Sequence, residues 1–213
     1  MRIVTRFTAV VITAFALVGV VALPAVAKTD KQVAKSASIT AKDLGRGWDA
    51  TKHTDDGPSG TPSCADTDAA NEGAKKYEFN SPDFALGDAE VTNSVYVFPN
   101  VKAAKAYLAA FQDPTAIECL QDGLDAALTD APGAVAAVGE LDVSGGPAQD
   151  GVGFEATITI PDGATEATVK LQAVAFRVGR GVTGITAQNV DEPLPITAEL
   201  ATASIKRLKR GLK

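Results

Sequence analysis

A single histidine, His53, limits the nucleophilic chemistry that this chain of 213 residues could perform. A Ser-His-Asp or Cys-His device would have to use it, and no G-x-S-x-G motif is present to offer a nucleophilic serine. His53 lies beside a polar loop, so we predict a solvated loop residue and no catalytic residue.

A metal site is the next possibility, because Asp66 and Asp68 begin like a calcium-binding loop. The pattern fails at the following positions, where Ala70 replaces a ligand and Asn71 replaces the required glycine. We therefore predict no metal and no cofactor. A looser calcium site built from the aspartates of residues 55–68 stays open as an alternative.

Paired carboxylates could serve a hydrolase, and the chain has 26 Asp and Glu residues. None of them lies in an apolar run, the setting in which burial makes a carboxyl a usable general acid. The residues favour a protein that is not an enzyme, with a two-carboxylate hydrolase as the alternative.

Two cysteines, Cys64 and Cys119, are predicted to form a disulfide, because their number is even and the chain is predicted to be exported. The bridge would close a loop of about 56 residues, which the chain-entropy model values at about 4 kcal/mol. Two free thiols are the alternative.

Export is indicated by the first 27 residues, which have the three parts of a secretory signal peptide. A basic start leads into an apolar run over residues 7–23, and Ala25-Val-Ala27 supplies the small-residue cleavage site. Cleavage would leave Lys28 as the first residue of a secreted protein at the cell envelope. An uncleaved anchor is the alternative, since the run nears the roughly 20 residues that span a bilayer, but Pro24 argues against it.

The predicted mature chain is acidic. The first 27 residues contain two of the 20 Lys and Arg and none of the 26 Asp and Glu, so the rest carries a net charge of −8. Such a charge favours solubility and disfavours nucleic acid and anionic lipid as partners. The remaining 186 residues are enough for one domain with its own core.

The chain after the signal begins with a polar stretch, residues 28–38, which we predict to be a flexible lead-in. A short helical turn should follow over residues 39–44 and end at Gly45. Trp48, the only tryptophan, is predicted to pack in the core. Stacking of Trp48 on a ligand is the alternative.

Apolar periodicity then predicts a strand over residues 90–98 and a helix capped by Asn100. The apolar stripe of that helix comprises Val101, Ala104, Leu108 and Phe111. A capping box at residues 115–118 should start a second short helix, which carries Cys119.

The second half of the chain predicts an antiparallel meander of three strands, over residues 152–160, 167–178 and 182–188. Its middle strand changes phase near Ala173, which indicates either a bulge or burial of both faces at one end. A last helix should begin near Pro195. Helices that flank an antiparallel sheet make residues 39–213 one α+β domain.

Two stretches carry a family resemblance: the ITAKDLGRGW sequence of residues 39–48, and the strand ending VYVF at Phe98 with the Ala-rich helix and Cys119 after it. Together with the AFRVGRGVTGIT hairpin and the closing helix, they resemble the extracellular sensor domain of actinobacterial PknH-type receptor kinases. That family includes free-standing secreted and lipoprotein relatives, and the resemblance spans about residues 38–210.

The resemblance implies a mixed domain with a cleft for an unidentified ligand. Members typically carry two disulfides, whereas this chain can form one; no site residue carries over, and no kinase domain is present. We therefore predict a secreted, non-enzymatic binding or sensor-like domain without membrane insertion, whose ligand is a small molecule, cell-wall material or another exported protein. The alternatives are a hydrolase of cell-envelope material and a structural or inhibitory protein-binding module. The candidate ligand-binding loops are the one before Cys64 and residues 144–151.

Overall fold

The computed structural model describes residues 28–53, 76–143, 148, 150–162, 165–194 and 197–213. The predicted signal peptide, the calcium-like aspartates and Cys64 lie outside the described residues. Within that part of the chain, no helix is both long enough and apolar enough to cross a membrane.

Eight strands of the described chain form one antiparallel sheet in the order β1-β3-β4-β8-β7-β6-β5, and β2 pairs with β4 next to β3. The strands are β1 Asp49–Thr51, β2 Tyr77–Asn80, β3 Asp83–Leu86, β4 Ala89–Val97, β5 Val135–Glu140, β6 Asp150–Asp162, β7 Thr165–Val178 and β8 Gly181–Val190. The predicted meander is therefore confirmed as β6 to β8, and the predicted strand over 90–98 is β4. The strands β1 to β3 were not predicted.

Five helices flank this sheet in the described residues, which confirms the predicted α+β class. They are α1 Asp30–Ala37, α2 Ala41–Leu44, α3 Val101–Phe111, α4 Pro114–Ala127 and α5 Thr197–Gly211. Helices α1 and α5 pack side by side on one face of the sheet, α3 covers the other face, and α4 contacts the edge strand β5.

The flexible lead-in predicted for residues 28–38 is wrong, because most of it is α1. Thr29 and Gln32 form a capping box that starts the helix. Val33, Ala34 and Ala37 are buried in the core between α1, α5 and the sheet. Two of these three side chains are single methyl groups, so the stretch looks polar in sequence although one side of it is fully covered.

Asn100 caps α3 as predicted, accepting a hydrogen bond of 2.9 Å from the backbone N–H three residues on. Ala104 and Leu108 of the predicted stripe are buried, and Tyr107 joins them. Val101 is 45% exposed, so its place in the stripe is wrong. It lies in the first turn of the helix.

The capping box predicted at residues 115–118 is also wrong, since α4 begins earlier. Asp113 is the cap, and its Oδ1 accepts hydrogen bonds from the backbone N–H and the hydroxyl of Thr115 at 3.0 and 2.7 Å. Pro114 occupies the first helical position, where its missing N–H costs nothing. The helix runs for 14 residues, longer than predicted.

The phase change in β7 comes from burial of both faces. Pairing with β6 and β8 is continuous through Ala173, so no bulge interrupts the strand. Val174 and Phe176 face the larger core under α1 and α5, while Ala175 faces the smaller core under α3. Trp48 packs against the larger core, as predicted.

A hydrogen-bonded polar group lies inside the larger core. Asn93 of β4 is 2% exposed. Its Oδ1 accepts from the Ile39 N–H at 3.0 Å, and its Nδ2 donates to the Gly184 carbonyl at 2.6 Å and to the Thr183 hydroxyl at 3.0 Å. Thr183 in turn shares a 2.7 Å bond with Ser204 of α5. One side chain thus links the α1–α2 junction, β4, β8 and, through Thr183, α5.

Candidate functional site

A groove of about 590 Å³ opens at the end of the sheet where β6 begins. Three parts of the chain form its walls: the end of α3, the segment after β5, and the start of β6 with one residue of β7 beneath. The lining residues are Phe111, Gln112, Glu140, Leu141, Asp142, Val143, Ala148, Asp150, Gly151, Val152, Gly153 and Phe176.

Two glycines of β6 let these walls come together. A Cβ atom on Gly151 would lie 2.8 Å from the Phe176 ring, and one on Gly153 would lie 2.8 Å from the Leu141 carbonyl oxygen and from a Val143 methyl. No side chain fits at either position. The Leu141 N–H donates to the Gly153 carbonyl at 2.9 Å, so the segment after β5 lies directly on β6.

The end of α3 is attached to the same strand. The Gln112 side-chain amide donates to the Gly151 carbonyl at 3.3 Å. This bond crosses from the helix that covers one face of the sheet to the strand that forms the groove floor.

The charged groups of the groove are mostly acidic. Glu140 and Asp142 are exposed on its rim. Asp150 is held by Arg177, whose Nε and Nη2 lie 2.7 and 2.6 Å from the Asp150 Oδ2. The Arg177 side chain is only 5% exposed and also donates to the Gly179 carbonyl at 2.8 Å. The Asp150 carboxylate is therefore paired with a buried arginine, and the Glu140 and Asp142 carboxylates lie at the rim.

An aromatic row leads from the sheet to the groove. Ring centroids of Tyr96 and Tyr107 are 5.3 Å apart, and those of Tyr107 and Phe111 are 5.2 Å apart. The Lys76 ammonium lies 4.5 Å above the Tyr96 ring and 5.0 Å from the Tyr107 ring, within range of a cation–π contact. Burial raises the pKa of both tyrosines, so they stay neutral phenols. Sequence reasoning missed this row, although the spacing of Tyr107 and Phe111, one helical turn apart, is a signal that could have indicated it.

His53 does not belong to the groove. It follows β1 at the opposite edge of the sheet, and its Nδ1 lies 2.6 Å from the Oδ1 of Asp83 on β3. Four strand spacings separate β3 from β6, or about 19 Å at the usual 4.8 Å per strand. His53 is therefore half-buried and paired, not simply solvated as predicted.

Asp30 and Asp43 lie outside the groove, and the pKa of each carboxyl group is lowered. A hydrogen bond from Arg180 lowers the pKa of Asp30. Burial raises the pKa of Asp43, but hydrogen bonds from Arg207 and Thr40 outweigh it and the net shift is downward. None of these groups has the raised pKa that a general acid needs. Among the described residues, no group of three or more His, Cys, Asp or Glu could hold a metal ion.

The remaining predicted residues have separate places. Trp48 packs in the core and does not line the groove. Cys119 is half-buried on α4, and its predicted partner Cys64 lies outside the described residues, so their disulfide stays a prediction. The loop before Cys64 lies outside them too. Of the candidate loop 144–151, the three described residues, Ala148, Asp150 and Gly151, all line the groove.

No protein-family model matches the chain, and no curated protein matches its sequence. Its structure is similar to the extracellular domain of PknH from Mycobacterium tuberculosis, with 12% identity, a TM-score of 0.46, and coverage of 84% of this chain and 96% of that one. A protein of unknown function, PA94 from Pseudomonas aeruginosa, matches with 14% identity, a TM-score of 0.23, and coverage of 55% and 69%. The structural resemblance to the PknH extracellular domain that the sequence indicated is confirmed.

Proposed function

We propose that this chain is a secreted, non-enzymatic binding domain of the cell envelope and that the groove at the start of β6 is its ligand site. The groove itself carries the proposal. Its volume of about 590 Å³ falls within the 300–1,000 Å³ typical of small-molecule sites. Its walls are already assembled, because Gly151 and Gly153 allow close packing and Gln112 bonds across.

The lining defines the chemistry of the ligand. Phe111, Phe176 and Val152 supply apolar surface, and the exposed Glu140 supplies negative charge at the rim. A matching ligand has an apolar part and amino or hydroxyl groups that can donate to carboxylates. Amino sugars, amphiphilic amines and cationic peptides have this chemistry, and cell-wall fragments include it.

Binding is favoured over hydrolysis by how the polar groups are used. A hydrolase needs a nucleophile, a base or a metal held within reach of its partners. In the groove Asp150 is bonded to Arg177, and His53 lies about 19 Å away by strand count. In an exported domain Cys64 and Cys119 would form a disulfide, so neither would serve as a nucleophilic thiol.

Thermal unfolding of residues 28–213 with a panel of cell-wall fragments, amino sugars and cationic peptides would test the site. A ligand at 100 times its Kd stabilises the native state by about 2.7 kcal/mol. For a protein of this size that raises the Tm by about 5–10 °C. Gln112→Trp fills the groove mouth and should abolish the shift, whereas Ala109→Trp, exposed on the same helix outside the lining, should keep it.

Two results would overturn the proposal. One is an equal ligand shift in both tryptophan variants, which would place the ligand elsewhere. The other is turnover of a glycosidase, esterase or peptidase substrate that is lost in Glu140→Gln or Asp142→Asn, which would make the groove the active site of a hydrolase.

A further inference from the structure

Charge is distributed unevenly between two parts of the fold. Residues 28–44 and 197–213, which contain α1, α2 and α5, have nine Lys and Arg and three Asp and Glu, a net charge of +6. Residues 45–196 have nine Lys and Arg and 23 Asp and Glu, a net charge of −14. The net negative charge of the chain therefore does not show that one layer of helices is basic.

The basic side chains of this layer point away from the sheet. Helices α1 and α5 lie against each other closely enough that a Cβ on Gly211 would be 3.0 Å from Val33. Both helices bury one side on the same sheet face. Their exposed sides form one outer surface, which we call the basic face, with the residues Lys31, Lys35, Lys206, Arg210 and Lys213.

Two of the three carboxylates in this layer are bonded to arginines, one to Arg180 outside the layer and one to Arg207 of α5 within it. Asp30 accepts two bonds from the Arg180 guanidinium, at 2.6 and 2.9 Å. Asp43 accepts from the Arg207 guanidinium, which also donates to the Ser38 carbonyl. Asp30 is paired with an arginine outside the layer and Asp43 with one that does not belong to the basic face, so neither acid cancels the charge of the five basic-face residues.

We propose that the basic face docks the domain on the surface of an anionic lipid bilayer. The proposal rests on charge complementarity, because the basic face is positive and the surface of a bilayer that contains anionic lipids is negative. Each Lys or Arg close to an anionic bilayer contributes about fivefold in affinity. The acidic remainder is repelled by the same surface, which orients the domain with α1 and α5 toward the lipid.

The contact is electrostatic and does not require insertion. Leu208 and Leu200 of α5 are buried against the sheet and unavailable to lipid. Docking should therefore be reversible and sensitive to salt, since about 1 M salt shortens the Debye length to about 3 Å. The proposal is independent of the groove and of its ligand.

Co-sedimentation with lipid vesicles would test it, using residues 28–213, which contain every described helix and strand. We expect binding to phosphatidylcholine vesicles that contain about one third phosphatidylglycerol, no binding to pure phosphatidylcholine, and release at high salt. The double variant Lys206→Gln/Arg210→Gln should bind about 25-fold more weakly. The matched control Lys102→Gln/Lys105→Gln removes two exposed charges from α3, on the other face of the sheet, and should bind like the wild type.

Circular dichroism would confirm that both double variants are folded. Absence of binding to the anionic vesicles, or equal weakening in the two double variants, would refute the proposal. Binding to a soluble polyanion such as polyphosphate without binding to the vesicles would also refute it, because the basic face would then recognise a polymer and not a membrane.

Discussion

Replacing Asn93 with leucine should destabilise the protein strongly, although the two side chains have the same number of heavy atoms and the same branching. The asparagine side chain is fully inside the larger core and bonds to Ile39, Thr183 and Gly184. Leucine has the same branched outline but offers no acceptor to the Ile39 N–H and no donor to the other two. Thr183 keeps its bond to Ser204, so its hydroxyl still has a hydrogen-bond partner.

The expected size follows from these bonds. Leaving the buried Ile39 N–H without its acceptor costs about 1–3 kcal/mol. Losing the bonds to Thr183 and Gly184 costs about 1 kcal/mol each. The sum is about 3–5 kcal/mol, against a total stability of about 5–15 kcal/mol for a typical domain. Asn93→Leu should therefore remove a large share of the free energy of unfolding.

Urea unfolding of residues 28–213 would measure this loss. The matched control is Asn100→Leu, which removes one surface bond that caps α3 and should cost about 1 kcal/mol. An unchanged m-value would show that the two variants unfold from a native state of similar compactness. If Asn93→Leu costs no more than Asn100→Leu, the buried network does not contribute as argued.

Three further predictions concern other contacts. Reduction of the predicted Cys64–Cys119 bridge should lower the free energy of unfolding by about 4 kcal/mol; two alkylatable thiols in the native, unreduced protein would contradict the bridge. The Gln121 side chain of α4 accepts from the Val138 N–H and donates to the Ala136 carbonyl, both at 3.0 Å, and so covers part of the free edge of β5. Because exposed strand edges pair with one another, Gln121→Ala should increase self-association in analytical ultracentrifugation. Unchanged sedimentation would count against this role of Gln121. The Arg180 hydrogen bond lowers the pKa of Asp30 below 3.8, so the Asp30–Arg180 pair stabilises the protein above that pH and loses its effect as the pH falls through the lowered pKa. The difference in free energy of unfolding between the wild type and Arg180→Met should therefore shrink by up to about 1 kcal/mol on acidification below about pH 4. A difference that does not change with pH would refute the coupling.

Long elements with local signals were predictable from the sequence. Burial alternates strictly along β4, and Val91, Val95 and Val97, which the sequence alternation assigned to one face, are buried on the same side together with Ala89 and the polar Asn93. The turn between β7 and β8 needs a positive φ, and Gly179 supplies it at 57°. In both cases the information lies within a few residues of the chain.

Elements that depend on distant partners were not predictable. Helix α1 buries mainly alanines, which carry little hydrophobic signal, and only contact with α5 shows that this side is internal. The strands β2 and β3 have four residues each, too few for a clear period. The groove depends on Gln112 reaching Gly151, 39 positions away, and on glycines whose purpose is visible only in the packed structure.

Composition gives the total charge of the chain but not how that charge is distributed over the surface. The net charge of −8 argued against an anionic surface as partner, because a sum over the chain treats every residue as if it faced the same surroundings. The basic residues of 28–44 and 197–213 are separated by more than 150 positions, and only the packing of α1 against α5 makes them one surface. An electric field acts over a few Debye lengths, about 10 Å each at 0.1 M salt, so a partner that approaches the helix layer senses the nearby positive charge before the acidic remainder. The surface that an approaching partner meets is therefore set by the fold, and the vesicle experiment measures that local charge and not the total.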